Sequence, residues 1–261
     1  MNQAVELGAL TGAEAVVEML RAHGVEVVFG LCGDTSLPLY DAMARLRSIR
    51  HVLTRDERHA AYMADGYARV TGKVGVCEGP SGGGATYILP GLVEANESSV
   101  PVLAINTDVS VGSRGRFTLT ELDQGALMKP LTKWNAVIER SADIPRTLRA
   151  AFEAMTTGRP GAAHLALPFD VQNGPVERRD VWADPTLGAF PSRRVAPDPF
   201  FVELAARLLR QAKRPLFICG GGVVLSRAEA ELAELAQKLG APVATTISGK
   251  GTLDELSLIH I

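Results

Sequence analysis

The chain has 261 residues, 46% hydrophobic and 21% charged, enough for one large or two ordinary α/β domains with a sizeable core. Its formal net charge of −2 supplies neither a basic face for nucleic acid nor a polybasic membrane anchor. No run approaches the roughly 20 apolar residues of a membrane helix, and residues 1–10 lack the basic-then-apolar pattern of a signal peptide, so a cytoplasmic protein is expected.

The pattern along the chain alternates. Thr11 with Glu14 three residues on forms a capping box, and Val16, Val17 and Leu20 give the helix behind it an apolar stripe. Residues 25–29 read as a buried strand closed by Gly30, 37–46 as a helix, and 51–53 as a short strand. An amphipathic helix over 56–70 stops at Thr71-Gly72. Strand 74–77, helix 85–95, strand 101–105, strand 134–138, helix 144–155 and strand 162–167 continue the series. Short apolar strands between amphipathic helices predict an α/β fold, a parallel sheet flanked by helices. From 171 to 198 the period lapses among prolines, glycines and charges, as in a linker. A second α/β domain then begins: helix 200–211, strand 215–219, Gly220-Gly221-Gly222, helix 227–239 and strand 243–246. The expected division is therefore a first domain over 1–170, a linker over 171–198 and an incomplete second domain over 199–255. Residues 256–261, Leu-Ser-Leu-Ile-His-Ile, match the translation of a transposase adapter used in sequencing libraries and are expected to be a non-native tail on a truncated chain.

Three features carry chemistry. The first is Val28-Phe29-Gly30-Leu31-Cys32-Gly33-Asp34, a strand ending in a glycine-bearing turn where a ligand can approach the backbone. It is not G-x-G-x-x-G, so no dinucleotide fingerprint is present. The second is Arg55-Asp56-Glu57-Arg58-His59-Ala60-Ala61, in which Glu57 opens a helix whose Ala60, Ala61 and Ala64 leave room for a flat ring. The third is Gly79-Pro80-Ser81-Gly82-Gly83-Gly84, a glycine run before a helix, without the Lys-Ser/Thr pair of a nucleotide P-loop. The three cysteines, Cys32, Cys77 and Cys219, form no C-x-x-C pair and read as buried free thiols, and no metal site is expected. His23, His51 and His164 read as packed or surface residues, His260 belongs to the tail, and His59 is near enough to Glu57 for a supporting role.

In order and spacing these features resemble the pyrimidine-binding domain of thiamine diphosphate enzymes, in particular acetolactate synthase large subunits. Supporting motifs are Lys129-Pro130-Leu131-Thr132-Lys133-Trp134, Thr157-Gly158-Arg159-Pro160-Gly161 and, in the second domain, Cys219-Gly220-Gly221-Gly222-Val223 and Gly249-Lys250-Gly251. The resemblance implies that Glu57 is the catalytic carboxylate, hydrogen-bonded to a pyrimidine ring nitrogen of thiamine diphosphate. It places Cys32, Gly33, Gly83 and Tyr87 against the cofactor, and Gly220, Gly221 and Gly222 where the family holds FAD. Mg²⁺ and the diphosphate would be bound by a third, C-terminal domain that this chain lacks, so the fragment alone is expected to be inactive.

The implied reaction is decarboxylation of a pyruvate-like 2-keto acid and carboligation to a second keto acid, as in branched-chain amino acid biosynthesis. The implied assembly is a homodimer or tetramer with a regulatory subunit. Cys32 stands where the family has proline, Gly83 where it has proline, Tyr87 where it has asparagine, and Leu119-Thr120-Glu121 where synthases carry phenylalanine-glutamine-glutamate. A 2-keto acid decarboxylase of the same superfamily and a non-catalytic nucleotide- or partner-binding relative are the rival readings. Against the decarboxylases, the stretch 108–117 has no His-His pair and Pro80 has no neighbouring histidine.

Overall fold

The structure, a computed structural model, describes residues 8–254 and Leu256; the expectations that fall on 1–7, 255 and 257–261, including most of the non-native tail and His260, lie outside the described residues. The chain divides between Ser192 and Arg193 into two compact units.

In the first unit, β1 (Leu10–Thr11) leads into α1 (Gly12–Ala22), followed by β2 (Val27–Gly30), α2 (Leu37–Leu46), β3 (Arg50–Leu53), α3 (Glu57–Thr71) and β4 (Gly75–Gly79). Then come α4 (Gly83–Tyr87), α5 (Leu89–Glu97), β5 (Val102–Asp108), α6 (Gln124–Met128), β6 (Trp134–Val137), α7 (Ile144–Thr156), β7 (Ala163–Pro168), α8 (Phe169–Asn173) and β8 (Pro175–Val176). The local signals that set these boundaries are visible as bonds. Thr11 accepts from the Glu14 N–H while the Glu14 carboxylate accepts from the Thr11 N–H, the reciprocal capping box. Asp56 caps α3 by accepting from the Arg58 N–H, and Gly72 ends that helix in the left-handed region (φ 70°). The helix expected over 85–95 is broken at Ile88, because Pro90 has no N–H to continue the ladder; α4 and α5 are the two pieces.

Six strands form one sheet in the order β3-β2-β4-β5-β7-β6, every neighbouring pair parallel. Side chains alternate across it, so each strand feeds two cores. Val28, Val76, Leu103, Ile105 and Leu165 meet α1, α2 and α7 on one face, around Leu20, Leu148 and Phe152. Phe29, Cys77, Val102 and Ala104 meet α3 and α5 on the other, against Ala60, Ala61, Ala64 and Leu92. Phe152 is fully buried, and truncating it to alanine is expected to cost about 3–5 kcal/mol. The order also fixes where a ligand can enter. The chain passes from β2 to β3 on one side and returns to β4 on the other, so the carboxyl ends of β2 and β4 flank a topological switch point.

The stretch 171–198, expected to be a linker, packs on the first unit as far as Ser192. β8 pairs antiparallel with β1, Val176 and Leu187 are buried in the core, and the Ser192 N–H and hydroxyl both donate to the Thr156 carbonyl. Its irregular composition reflects edge pairing and 3₁₀ turns, which carry no helical or strand period.

The second unit contains α9 (Pro199–Gln211), β9 (Phe217–Cys219), α10 (Gly221–Ser226), α11 (Glu229–Leu239) and β10 (Val243–Thr245), with β9 and β10 paired in parallel. The helix expected over 227–239 begins at Glu229, because Arg227 sits in the left-handed region (φ 52°) and closes α10 instead. The buried core here is small, comprising Cys219, Ala236, Val243 and Leu253. No helix among the described residues is long and apolar enough to cross a membrane.

Candidate functional site

Three loops converge at the carboxyl ends of β2, β3 and β4. After β2 the chain runs through Cys32 and Gly33 into a 3₁₀ turn, Asp34–Ser36. After β4, Pro80 lies so close to Gly33 that a Cβ built there would fall 2.5 Å from the Pro80 Cβ. Gly84 presses on the same proline from the other side, its would-be Cβ 2.5 Å from the Pro80 Cδ and 3.2 Å from Glu57 Oε1. Only glycine fits at either place. Glu57, the first residue of α3, is therefore held over a glycine–proline shelf. Its side chain belongs to a residue only 8% exposed, yet no hydrogen bond reaches the carboxylate among the described residues. A carboxylate so placed has no hydrogen-bond partner among the described residues, so its oxygens can accept from a ligand N–H.

The other expected site residues are placed unevenly. Gly83 opens α4 with nothing nearer to a built Cβ than the Tyr87 ring at 3.9 Å, so packing does not require glycine there. Tyr87 is 54% exposed and lies under the Arg58 guanidinium (5.7 Å), whose charge is paired with Asp56 at 2.5 Å. Cys32 is exposed, contrary to the buried thiol expected, while Cys77 and Cys219 are buried. Partial burial, and then the nearby Glu78 and Asp34 charges, push the Cys32 thiol up, so it is no activated nucleophile. His59 is exposed, in a hollow with Thr54, Arg55, Tyr62 and Met63, and its ring makes no hydrogen bond among the described residues. His23 stacks on Phe152 (3.9 Å) and His164 is fully buried, its pKa pushed down to about 3 by burial, so both are neutral packing residues. In the second unit, Gly220 caps α10; a Cβ on Gly221 would lie 3.1 Å from that of Ser248, whereas one on Gly222 would meet nothing.

Sequence reasoning missed Glu78. It lies at the end of β4 with no exposure, on the opposite pleat from Cys77, and its two oxygens accept from Ser36 Oγ (2.5 Å) and the Tyr40 hydroxyl (2.7 Å). Burial pushes its pKa up to about 7, the Glu57 charge adds to that, and the two hydroxyl bonds oppose it. The available signal was a lone acidic residue extending an apolar strand, with Ser36 and Tyr40 in the preceding loop and helix. Gln172 fixes that loop, donating to the Thr35 carbonyl (2.9 Å) and accepting from the Leu39 N–H (3.2 Å).

The loop beyond β5 closes the same end of the sheet. Arg114 pairs with buried Asp108 (3.1 Å), and Glu121 accepts from the N–H groups of Gly115 (2.6 Å) and Thr118 (3.3 Å). This holds Thr120 against Gly82. Gly33, Pro80, Ser81, Leu119, Thr120 and Phe169 line a cleft of about 670 Å³. No group of three His, Cys, Asp or Glu residues could hold a metal among the described residues.

Comparison with known proteins bears on this arrangement directly. Residues 10–127 match the thiamine pyrophosphate enzyme N-terminal TPP binding domain, and residues 202–258 match the central domain of the same enzymes. The chain is 41% identical over 248 residues to a probable acetolactate synthase large subunit of Methanocaldococcus jannaschii, covering 94% of this chain and 42% of that protein. It is 39% identical over 254 residues to the acetolactate synthase of Arthrospira platensis (94% and 43%). The acetolactate synthase large subunit of Corynebacterium glutamicum is also 39% identical over 254 residues (97% and 40%). The chain thus spans about two fifths of the length of these relatives. The matched domains, in this order and on this sheet, show that the chain belongs to the thiamine pyrophosphate enzymes and is similar to the N-terminal part of acetolactate synthase large subunits.

Proposed function

We propose that the intact protein binds thiamine diphosphate with its pyrimidine against Glu57, and catalyses decarboxylation of a pyruvate-like 2-keto acid with carboligation to a second keto acid. The observation that carries this reading is the buried, unbonded Glu57 carboxylate above the Gly33–Pro80–Gly84 shelf. The residues fit the group. A flat aminopyrimidine needs a hydrogen-bonding carboxylate at its edge and walls without protruding side chains, and Glu57 with the glycines offers both.

When bound, thiamine diphosphate supplies the carbon nucleophile that attacks the keto acid. The chain's own residues hold and aim the ring. Glu57 hydrogen-bonds a ring nitrogen and moves a proton at that atom, Gly33 and Pro80 support the ring face, and Cys32, Gly83 and Tyr87 border the opening. Exclusion of water around Glu57 strengthens its bond to the ring.

The remaining parts of the reading concern the whole protein; the matched relatives are more than twice as long as this chain. Mg²⁺ and the diphosphate would be held by residues outside this chain, so this chain alone is inactive. The assembly is a homodimer or tetramer, with a regulatory subunit as an additional partner. FAD would lie against Gly220, Gly221 and Gly222, of which Gly222 has no packing reason to be glycine. Flavin absorbance in the purified intact protein tests that part separately.

For the main reading, thiamine diphosphate with Mg²⁺ is titrated calorimetrically into the intact protein and pyruvate consumption is followed. Saturable binding is expected, with turnover lowered by about 10²–10⁴-fold in Glu57→Gln. Absent binding, or full activity in Glu57→Gln, sinks it.

A further inference from the structure

A continuous line of hydroxyl groups leads from buried Glu78 to the cleft. Ser36 Oγ bonds Glu78 (2.5 Å) and shares a hydrogen bond with Thr107 Oγ1 (2.9 Å). Thr107 bonds Thr35 Oγ1 (2.9 Å), Thr35 donates to Ser81 Oγ (3.3 Å), and Ser81 bonds Thr120 Oγ1 (2.7 Å). Glu78, Ser36 and Thr107 have no exposure, Ser81 has 5%, and Thr120 stands at the surface in the wall of the cleft. Two features look built rather than incidental. Thr120 is held in the left-handed backbone region (φ 69°), a conformation that costs a threonine about 1–2 kcal/mol. Gly82, also left-handed (φ 65°), has no Cβ, and one placed there would fall 2.9 Å from that of Thr120. Both bring the last hydroxyl onto Ser81.

We propose that Glu78 and the hydroxyls of Ser36, Thr107, Thr35, Ser81 and Thr120 form a proton relay between the sheet interior and the cleft beside Gly33. In the outward order, Glu78 gives its proton to Ser36 Oγ as Ser36 gives its own to Thr107. Thr107 passes one to Thr35, Thr35 to Ser81 and Ser81 to Thr120, which releases one proton into the cleft. Each hydroxyl ends with the single proton it began with, and Glu78 is left as a carboxylate. In the reverse order, a proton taken up at Thr120 leaves Glu78 neutral, and every hydroxyl bond changes direction. Of the observed donations, Thr35 to Ser81 has the polarity of the outward order and Ser36 to Glu78 that of the reverse order.

A relay needs a terminal group that exchanges its proton near working pH, and Glu78 meets that need through burial. The groups that face it are Tyr40 from α2, Glu57 from α3, Cys32 from the turn after β2 and Cys77 beside it on β4, with His51 from β3 edge-on to the Tyr40 ring. None supplies a positive charge that would hold Glu78 ionised. That the cleft acceptor is an oxygen of a bound keto acid rests on the function proposed above; the relay itself does not.

Rapid-mixing infrared spectroscopy on the intact protein, without cofactor, tests the relay. The protonated-carboxyl band of Glu78 is identified by its loss in Glu78→Gln and followed after a pH jump from 6 to 8. The band is expected to relax within the mixing time in the unsubstituted protein and at least tenfold more slowly in Thr107→Val. Thr107→Ser, which restores the hydroxyl, is expected to restore the rate. Should Thr107→Val fail to fold, Thr120→Val at the exposed end gives the same comparison. Equal relaxation in the valine variant and the unsubstituted protein overturns the proposal, as does a Glu78 band that does not titrate over this range. Thiamine diphosphate binding, measured on the same variants, is independent of both outcomes, so failure of the relay and failure of the cofactor reading are told apart.

Discussion

Two carboxylates at the same end of one sheet have been given opposite surroundings. Glu57, on the α3 side, is buried over a shelf of glycine and proline and hydrogen-bonded to none of the described residues, whereas Glu78, on the α2 side, is buried deeper and bonded by two hydroxyls. The first region is arranged around a gap, and the second around a completed polar network. A carboxylate that the fold leaves without a partner can accept from a ligand; one that the fold satisfies serves the fold or passes protons within it. The difference can be probed from both sides.

The largest effect should come from Glu57→Gln. If Glu57 handles a proton on a ligand, the substitution lowers turnover of the intact protein by about 10²–10⁴-fold while leaving thermal unfolding unchanged. A variant with lowered stability and intact turnover would put Glu57 in the same structural class as Glu78.

Glu78 should show instead in the pH dependence of stability. Its folded-state pKa is raised from 4.5 to about 7, so between those values the folded protein holds a proton that the unfolded chain has lost. Stability is therefore greatest below pH 4.5 as far as this group is concerned, falls as pH rises through about 7 and is flat above, by on the order of a few kcal/mol. Glu78→Gln, which stays neutral, is expected to flatten that part of the curve. Chemical denaturation at pH 5, 6, 7 and 8 checks it, and an unchanged slope in the variant would remove Glu78 as the source.

Smaller effects are expected at the residues that position Glu57. Gly33→Ala forces a Cβ to within 2.5 Å of the Pro80 Cβ and should cost about 1–3 kcal/mol as the shelf shifts, weakening thiamine diphosphate binding as well. A loss of stability without a loss of affinity would separate the shelf from the ligand. Asp56→Ala removes the cap of the helix that carries Glu57 and should cost about 1 kcal/mol in thermal unfolding, with activity nearly kept.

Much of this was legible in the sequence, for reasons that can be named. The parallel sheet showed in the alternation of apolar runs with amphipathic stretches, and α1 and α3 in their capping residues, because these signals are local. The placement of Glu57 at a strand-to-helix boundary beside small residues was legible for the same reason. Glu78 was not, because its partners Ser36 and Tyr40 are about forty residues away and only the β2–β4 pairing brings them together. Likewise the stretch up to Ser192 looked like a linker, since its order comes from pairing with β1 and from burying Leu187, both long-range contacts. Cys32 looked buried because it follows an apolar strand, but the turn beyond Gly30 carries it outward.

Whether Glu57 meets the cofactor ring is read from a crystal structure of the intact protein with thiamine diphosphate and Mg²⁺. The Glu57 carboxylate should lie within hydrogen-bonding distance, about 2.6–3.2 Å, of a pyrimidine ring nitrogen, with Gly33 and Pro80 against the ring. A pyrimidine bound elsewhere, or a Glu57 carboxylate turned away from it, would mean that Glu57 does not activate the cofactor.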